Sequence, residues 1–419
     1  MPLEKSKKVK LFFKFITGSL LMSIIATLSS SSFPYLSSCL SDDMSRDTLR
    51  LPIHQARGGD VGDLFNEVMY VPLEQTSNSI VQEVKDLWVT EEYIIIFDLR
   101  GKGILFFDRL GKFKHKIDKV PHCKSCNNGD FLFVNVFVNK SERLIYASYG
   151  TSKDNAAMGI FRFDGSFVKE KKEWITVDGM GFLGNSIFLN HSPFVDTDKS
   201  QLEMLRNGVY TPIIERQQLV KEDYSSVQNM FSKASEKEEL LYVQLYNNTL
   251  YTITEKKGLS KETLLVFPYQ NSLPKDFFSE FRGRLPDVVS KKYPDAIFGL
   301  NHVFSHNNRF FATLMITNAS NNISDIMYDP KTGILYDLKK IRPTVTNQFL
   351  PMSSAYSDSF FLDCDRQYLY SYITPSDVAI LFNRHPSLQN EGEIPAFTKG
   401  LLENKTKSTN PILVISRLK

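Results

Sequence analysis

Cysteine is scarce in this chain, four in 419 residues, too few for a disulfide scaffold. An excess of one charge is also missing. With residues 1–38 set aside, for a reason given below, 45 basic and 46 acidic residues remain, a balance of −1. A near-neutral chain lacks the electrostatic footprint of a nucleic-acid binder, so no nucleic acid is expected as a partner. Long apolar runs are absent too. The clean run from Phe15 to Leu28 is about 14 residues, where a membrane span needs roughly 20. No Walker loop, G-x-S-x-G elbow or H-E-x-x-H occurs. No catalytic residue is therefore singled out, and no cofactor is expected. Helical periodicity is rare. Its best stretch is Leu273 to Tyr293, where Pro274 and Asp276 suit a helix start and Pro286 a break.

The N-terminus carries the strongest signal that is present. Lys5, Lys7, Lys8, Lys10 and Lys14 precede the apolar run, and Leu36-Ser37-Ser38-Cys39 follows it. That order matches a secretory signal ending in a lipoprotein box, with Cys39 as the lipidated first residue of the mature chain. Ser29–Ser32 and Phe33-Pro34-Tyr35 lengthen the gap before the box. A plain signal peptide cut at a small residue is the alternative. The expected organisation is a lipoprotein signal over 1–38, a flexible Gly-bearing tether over 39–62 and a folded body over 63–419.

That body has the texture of strands. Tyr93–Phe97, Ile104–Phe107, Phe131–Val138, Leu144–Ala147 and Leu250–Ile253 are short β-branched and aromatic runs bounded by Gly, Asn, Asp or Pro. One unit recurs. Ile104 to Phe113 reads ILFFDRLGKF, Ile160 to Phe167 reads IFRFDGSF, and Tyr328 to Tyr336 is a looser version. Each is a strand ending in an aromatic residue and Asp, a turn with Gly, and the start of the next strand. Asp108 and Asp164 are separated by about one four-stranded blade with its loops, and about six such blades fit the body. Radial repetition of small sheets also protects their edges.

These segments resemble the six-bladed β-propeller lipoproteins of Bacteroidota, an NHL-like group. Val71-Pro-Leu-Glu-Gln-Thr76 with Asn78-Ser-Ile80 is similar to their opening strand, Phe106–Phe113 and Ile160–Phe167 to their blade hairpins, and Asn410–Lys419 to their last strand. The resemblance covers about residues 63–419. It implies an all-β propeller of four-stranded antiparallel blades, its ring closed by a strand near Met69–Leu73 sharing a sheet with one near Ile412–Ser416. It also implies an outer-membrane address, with Asp42-Asp43 behind Cys39 looking like a surface-export tag or, equally, a solvated linker. The chain departs from the group at His122–Phe131, where a Gly-Pro-Gly-Glu-Tyr-like loop is usual. No role attached to that loop carries over.

The remaining motifs have plain readings. Gly179-Met-Gly181-Phe-Leu-Gly184 spells G-x-G-x-x-G, but a strand rather than a helix follows it, which favours a turn over a dinucleotide site. His122, Cys123 and Cys126 offer three metal ligands without a matching second pair, so a surface loop with thiols or a small disulfide is the expectation, and no metal. His302 and His306 on a strand would lie roughly 13 Å apart, too far to share an ion. They are expected in loop and edge positions. Asp196 with Asp198, and Asp363 with Asp365, are expected in solvated turns. Gln217 to Ser235 reads as a polar, loop-like insertion.

The expected function is ligand or partner binding at the mouth of a central channel, where loops of several blades converge. The ligand classes considered are a glycan, a peptide or another envelope protein, with the membrane engaged through the lipid on Cys39. A channel-sited hydrolase or lyase and a scaffold for an outer-membrane complex are the alternatives.

Overall fold

Short apolar runs punctuated by Gly and Asp become strands throughout a computed structural model of the chain. It describes residues 44–121, 133–150, 156–174, 177–191, 200–215, 230–232, 238–273, 291–317, 324–384, 394–403 and 410–419. Three strands come first: β1 (Ser45–Arg50), β2 (Arg57–Asp60) and β3 (Phe65–Pro72), with one helical turn, α1 (Val61–Leu64), between the last two. Three antiparallel meanders follow. Blade I is β4 (Val84–Val89), β5 (Tyr93–Asp98), β6 (Gly103–Asp108) and β7 (Phe113–Ile117). Blade II is β8 (Phe133–Asn139), β9 (Leu144–Tyr149), β10 (Ala157–Arg162) and β11 (Phe167–Lys171). Blade III is β12 (Val177–Leu183), β13 (Ser186–His191), β14 (Leu202–Arg206) and β15 (Val209–Ile214).

The other three blades each recruit one strand from the N-terminal segment. Blade IV, β16 (Glu239–Val243), β17 (Thr249–Thr254) and β18 (Gly258–Val266), takes β1 as its outer strand. Blade V, β19 (Ile297–His306), β20 (Arg309–Ile316), β21 (Asp325–Asp329) and β22 (Ile334–Arg342), takes β2. Blade VI, β23 (Asp363–Cys364), β24 (Leu369–Ile373) and β25 (Ile412–Leu418), takes β3. The six sheets form an all-β, six-bladed propeller.

The pairings of β1 and β2 correct two expectations. Residues 45–60 are not tether. β1 runs parallel to β18, from Ser45 opposite Lys261 to Arg50 opposite Val266, and β2 runs parallel to β22. The blades they join are therefore not purely antiparallel. β1 is largely exposed and β2, Arg-Gly-Gly-Asp, carries no apolar side chain, so neither shows the apolar alternation by which a half-buried strand is recognised. Their hold is backbone pairing, aided by Leu51 and Ile53 just beyond β1, both buried in the core between blades IV and V. In these positions they cover outer sheet edges that would otherwise present unpaired N–H and C=O groups. β3, by contrast, is antiparallel to β25, from Pro72 opposite Ile412 to Val68 opposite Ser416.

The recurrent hairpin is built as its residues require. At β6–β7 the Asp108 carboxylate accepts the Leu110 and Lys112 amides at 3.0 and 2.9 Å, and the Gly111 amide donates to the Asp108 carbonyl. Gly111 has φ +81°, and a Cβ there would fall 2.2 Å from the Pro72 carbonyl oxygen. Conformation and space both demand glycine. At β10–β11 Asp164 repeats the acceptor role toward the Ser166 amide.

Aromatic residues fill the seams between blades. Between blades I and II, Phe106 is fully buried, stacked on His115 at 4.2 Å and edge-on to Tyr93 at 5.7 Å. Two helices without an expected counterpart, α2 (Pro375–Arg384) and α3 (Ala396–Glu403), lie between β24 and β25. The first begins at a reciprocal cap. Thr374 donates from its amide and hydroxyl to Asp377, whose amide donates back to the Thr374 hydroxyl. Val378 and Phe382 then bury into the core of blades V and VI. Most of the helix expected over Leu273–Tyr293 lies outside the described residues.

Candidate binding site at the channel mouth

The innermost strands are β4, β8, β12, β16, β19 and β23. Each has a strand neighbour on one side within its sheet, so its other edge faces the centre of the ring. At β16 that edge is occupied. Met230–Ser232 lies along it, with Phe231 bridging to Tyr242. The Ser232 amide donates to the Leu241 carbonyl at 2.9 Å, and the Val243 amide to the Met230 carbonyl at 3.0 Å. Phe231 is 5% exposed, its ring centroid 4.9 Å from that of Tyr242.

Beside it, on blade III, is the G-x-G-x-x-G stretch, which forms β12 and its turn into β13 and packs against Phe231 through Gly179 and Gly181. A Cβ at Gly181 would lie 2.8 Å from both Phe231 Cδ1 and Leu240 Cδ1. The glycine admits an aromatic ring to the channel rather than a pyrophosphate.

Phe231 helps line two spaces. One is a pocket of about 190 Å³ walled by Trp88 of β4, Val136 to Asn139 of β8, and Met180 to Phe182 of β12. The other is a cavity of about 10 Å³, shared with His302, Phe304, Phe361 and Asp363.

Toward one end of the channel the first pocket adjoins a cleft of about 1050 Å³, with Lys140 and Ser141 common to both. Its walls are the turns Thr90–Glu92 of blade I, Ser141–Arg143 of blade II and Asp365–Tyr368 of blade VI, with Arg109 and Phe163 from neighbouring hairpins. Lys140 anchors the floor. Its ammonium lies 2.6 Å from Oδ2 of the fully buried Asp363, and the same oxygen accepts the Val89 amide at 2.6 Å. One carboxylate thus ties blade VI to blades I and II.

The remaining charges are held in place by neighbours. Arg109 donates to the Thr90 carbonyl at 2.8 Å and lies over the Tyr370 ring at 5.7 Å. Arg143 pairs with Glu92 at 2.6 Å and covers the buried Phe163 ring at 6.0 Å. Asp365 accepts hydrogen bonds from the Tyr370 hydroxyl and from the Gln367 and Tyr368 amides. Burial pushes its carboxyl up, but those bonds and the Lys140 charge outweigh burial and hold it below the usual carboxylate range. Burial, with the bond to Asp365, pushes the Tyr370 phenol well above its ordinary value. Arg366 is exposed at the rim. The walls supply fixed ion-pairing and hydrogen-bonding groups above a recess of mixed polar and aromatic lining.

Several sequence expectations meet this geometry differently. Asp363 is buried rather than in a solvated turn, because Lys140 and the Val89 amide compensate its charge there. Asp365 does sit in a turn. His302 and His306 are not loop residues, although β19 is an edge strand of its sheet. Both belong to β19 and are buried, with His302 at φ +47° beside a register shift between Asn301 and Phe304. A bulge turns side chains inward that strict alternation would place elsewhere. Cys39, the metal candidates His122, Cys123 and Cys126, and the Asp196–Asp198 pair lie outside the described residues. Among the described residues no group of three or more His, Cys, Asp or Glu could hold a metal ion. Within the Gln217–Ser235 insertion, Met230–Ser232 is strand-paired rather than loop.

Sequence reasoning missed Lys140 and Phe231. The first stands in an ordinary Asn-Lys-Ser turn. The second had a signal of a kind, since paired glycines in a strand mark close approach by another group.

Comparison with known proteins agrees with the architecture. One solved structure, a Bacteroides fragilis protein described as exported, superposes with a TM-score of 0.62 at 14% identity, covering 90% of this chain and 99% of that one. Another, a DUF4221 family member from Bacteroides vulgatus, gives a TM-score of 0.41 at 11% identity, covering 85% and 97%. No curated protein matches the sequence. A family model described as a domain of unknown function, DUF4934, matches residues 54–417. The chain, with its six blades and N-terminal outer strands, belongs to the DUF4934 family.

Proposed function

We propose that this protein is an extracytoplasmic binding module, tethered through a lipid on Cys39, whose ligand enters the cleft at the channel mouth. One observation carries the site: turns of blades VI, I and II converge there on Lys140 and Asp363, above a recess lined by Trp88, Phe137, Met180 and Phe231 together with polar groups. Convergent polar groups over an apolar pocket are the usual anatomy of a small-ligand or segment-binding site.

The address rests on the N-terminal sequence, with signal over 1–38, and accords with the exported description of the Bacteroides fragilis protein. An outer-membrane, NHL-like lipoprotein is the reading adopted here, its ring sealed where β3 meets β25.

Two measurements test this. The Cys39→Ala variant should lose labelling by a radiolabelled or clickable fatty acid and leave the membrane fraction. Labelling that survives would overturn the anchor. Arg143→Ala with Arg366→Ala should weaken any ligand found by screening glycans, peptides and envelope extracts at least tenfold. A ligand indifferent to both would move the site elsewhere.

A further inference from the structure

The inner rim of the ring already binds a peptide segment, and it is the chain's own. Met230–Ser232 adds to the channel-facing edge of β16 through backbone hydrogen bonds and delivers Phe231 into the centre. Nearby, the pocket of about 190 Å³ is walled by β8, whose only sheet neighbour among the described residues is β9. β8 is the inner edge strand of its sheet and lines that space from Val136 to Asn139. A protein cavity of about 150 Å³ is known to accept a benzene ring, so this space, which mixes polar groups with Trp88, Phe137, Met180, Phe182 and Phe231, has room for one aromatic or branched aliphatic side chain.

We propose that the pocket receives the apolar side chain of an extended peptide entering from the mouth past Lys140 and Ser141. The inference rests on the binding-site reading above and names its ligand class. Backbone pairing to an exposed strand edge supplies affinity in such recognition, and a side-chain pocket supplies selectivity. A saccharide is the competing class: of the aromatic residues lining the cleft, Phe163 is 3% exposed beneath the Arg143 guanidinium, while Tyr368 is half-buried.

The test titrates the full chain in detergent with acetylated, amidated tetrapeptides Ala-Xaa-Ala-Ala, Xaa being Phe, Leu or Ala, and with neutral oligosaccharides. The Phe and Leu peptides should bind at least tenfold tighter than the Ala peptide. Ser141→Trp, an exposed position at the entrance, should weaken them at least tenfold with an unchanged thermal midpoint. Trp88 lines the pocket, so the Phe peptide should also shift tryptophan emission, and Trp88→Phe should remove that shift. Peptides that do not bind, that bind without regard to Xaa, or that bind Ser141→Trp equally well overturn the proposal. Oligosaccharides that bind wild type but not Ser141→Trp, with peptides silent, would overturn the peptide class and leave the mouth site standing. No Ser141-dependent binding of either class would remove both.

Discussion

The side-chain amide of Asn410 donates to the carbonyl of Ser79 at 2.7 Å, although 331 positions separate them. The same amide reaches the Glu74 carbonyl at 2.9 Å, and the Asn410 side-chain oxygen accepts the Val81 amide at 2.9 Å. One buried side chain thus satisfies three backbone groups of the segment linking β3 to β4, from its place just before β25. Glu74 extends the contact by accepting the Phe113 amide at 2.9 Å, which draws in the hairpin of blade I.

Asn410→Ala should therefore be costly. It leaves buried backbone groups without partners, at about 1–3 kcal/mol for each that water cannot reach. The expected loss is about 3 kcal/mol, visible as a lower midpoint in denaturant unfolding. Asn410→Asp should lose stability too, because it keeps the acceptor for Val81 but not the donors. A midpoint unchanged in both variants would show that the seam is held elsewhere.

Lys140 and Asp363 should behave as a coupled pair. Removing the lysine alone strands a buried carboxylate, at about 3–5 kcal/mol. Asp363→Asn removes the charge while keeping an acceptor for the Val89 amide. In a double-mutant cycle, Lys140→Met with Asp363→Asn should cost less than the two changes summed. Strict additivity would deny the pairing.

Gly181 and Phe231 should compensate sterically. Gly181→Ala puts a Cβ where the Phe231 and Leu240 side chains already are, with an expected cost of about 1–3 kcal/mol. Phe231→Ala opens a cavity, at about 3–5 kcal/mol. Together they should be less harmful than their sum, since truncating the ring frees part of the space the new methyl needs.

His115 predicts a pH effect. Burial beside Phe106 pushes its pKa below the ordinary 6.5, against the opposing pull of the Phe163 backbone bond and the Asp164 charge. The unfolded chain then takes up the proton at higher pH than the folded one. His115 weighs against folding increasingly as pH falls below about 6.5 and has no such effect above it. His115→Phe, which retains a stacking ring, should narrow the stability gap between pH 8 and pH 5. An unaltered gap would mean the imidazole titrates equally in both states.

Much of this architecture could be read along the chain. Ile104–Phe113 and Ile160–Phe167 announce their hairpins because strand texture, an Asp acceptor and a turn glycine are local requirements. Thr374-Pro-Ser-Asp377 announces a helix start by the same logic, though the reading above passed over it. β1 and β2 escaped notice because neither carries apolar alternation: backbone pairing and ion pairs such as Asp47–Lys261 and Asp60–Arg342 hold them, and Gly58 is needed only because a Cβ there would fall 2.3 Å from the Lys340 carbonyl oxygen.

The mouth and its recess are a different matter. Lys140, Asp363 and Val89 come from three blades, and their meeting depends on how the sheets are arranged around the ring. Phe231 gains its meaning from Gly181 on the neighbouring blade. Side-chain periodicity follows from the chain's local geometry and is written in every few residues. Charge compensation and cavity shape arise between segments far apart in sequence, so they exist only once the blades are assembled.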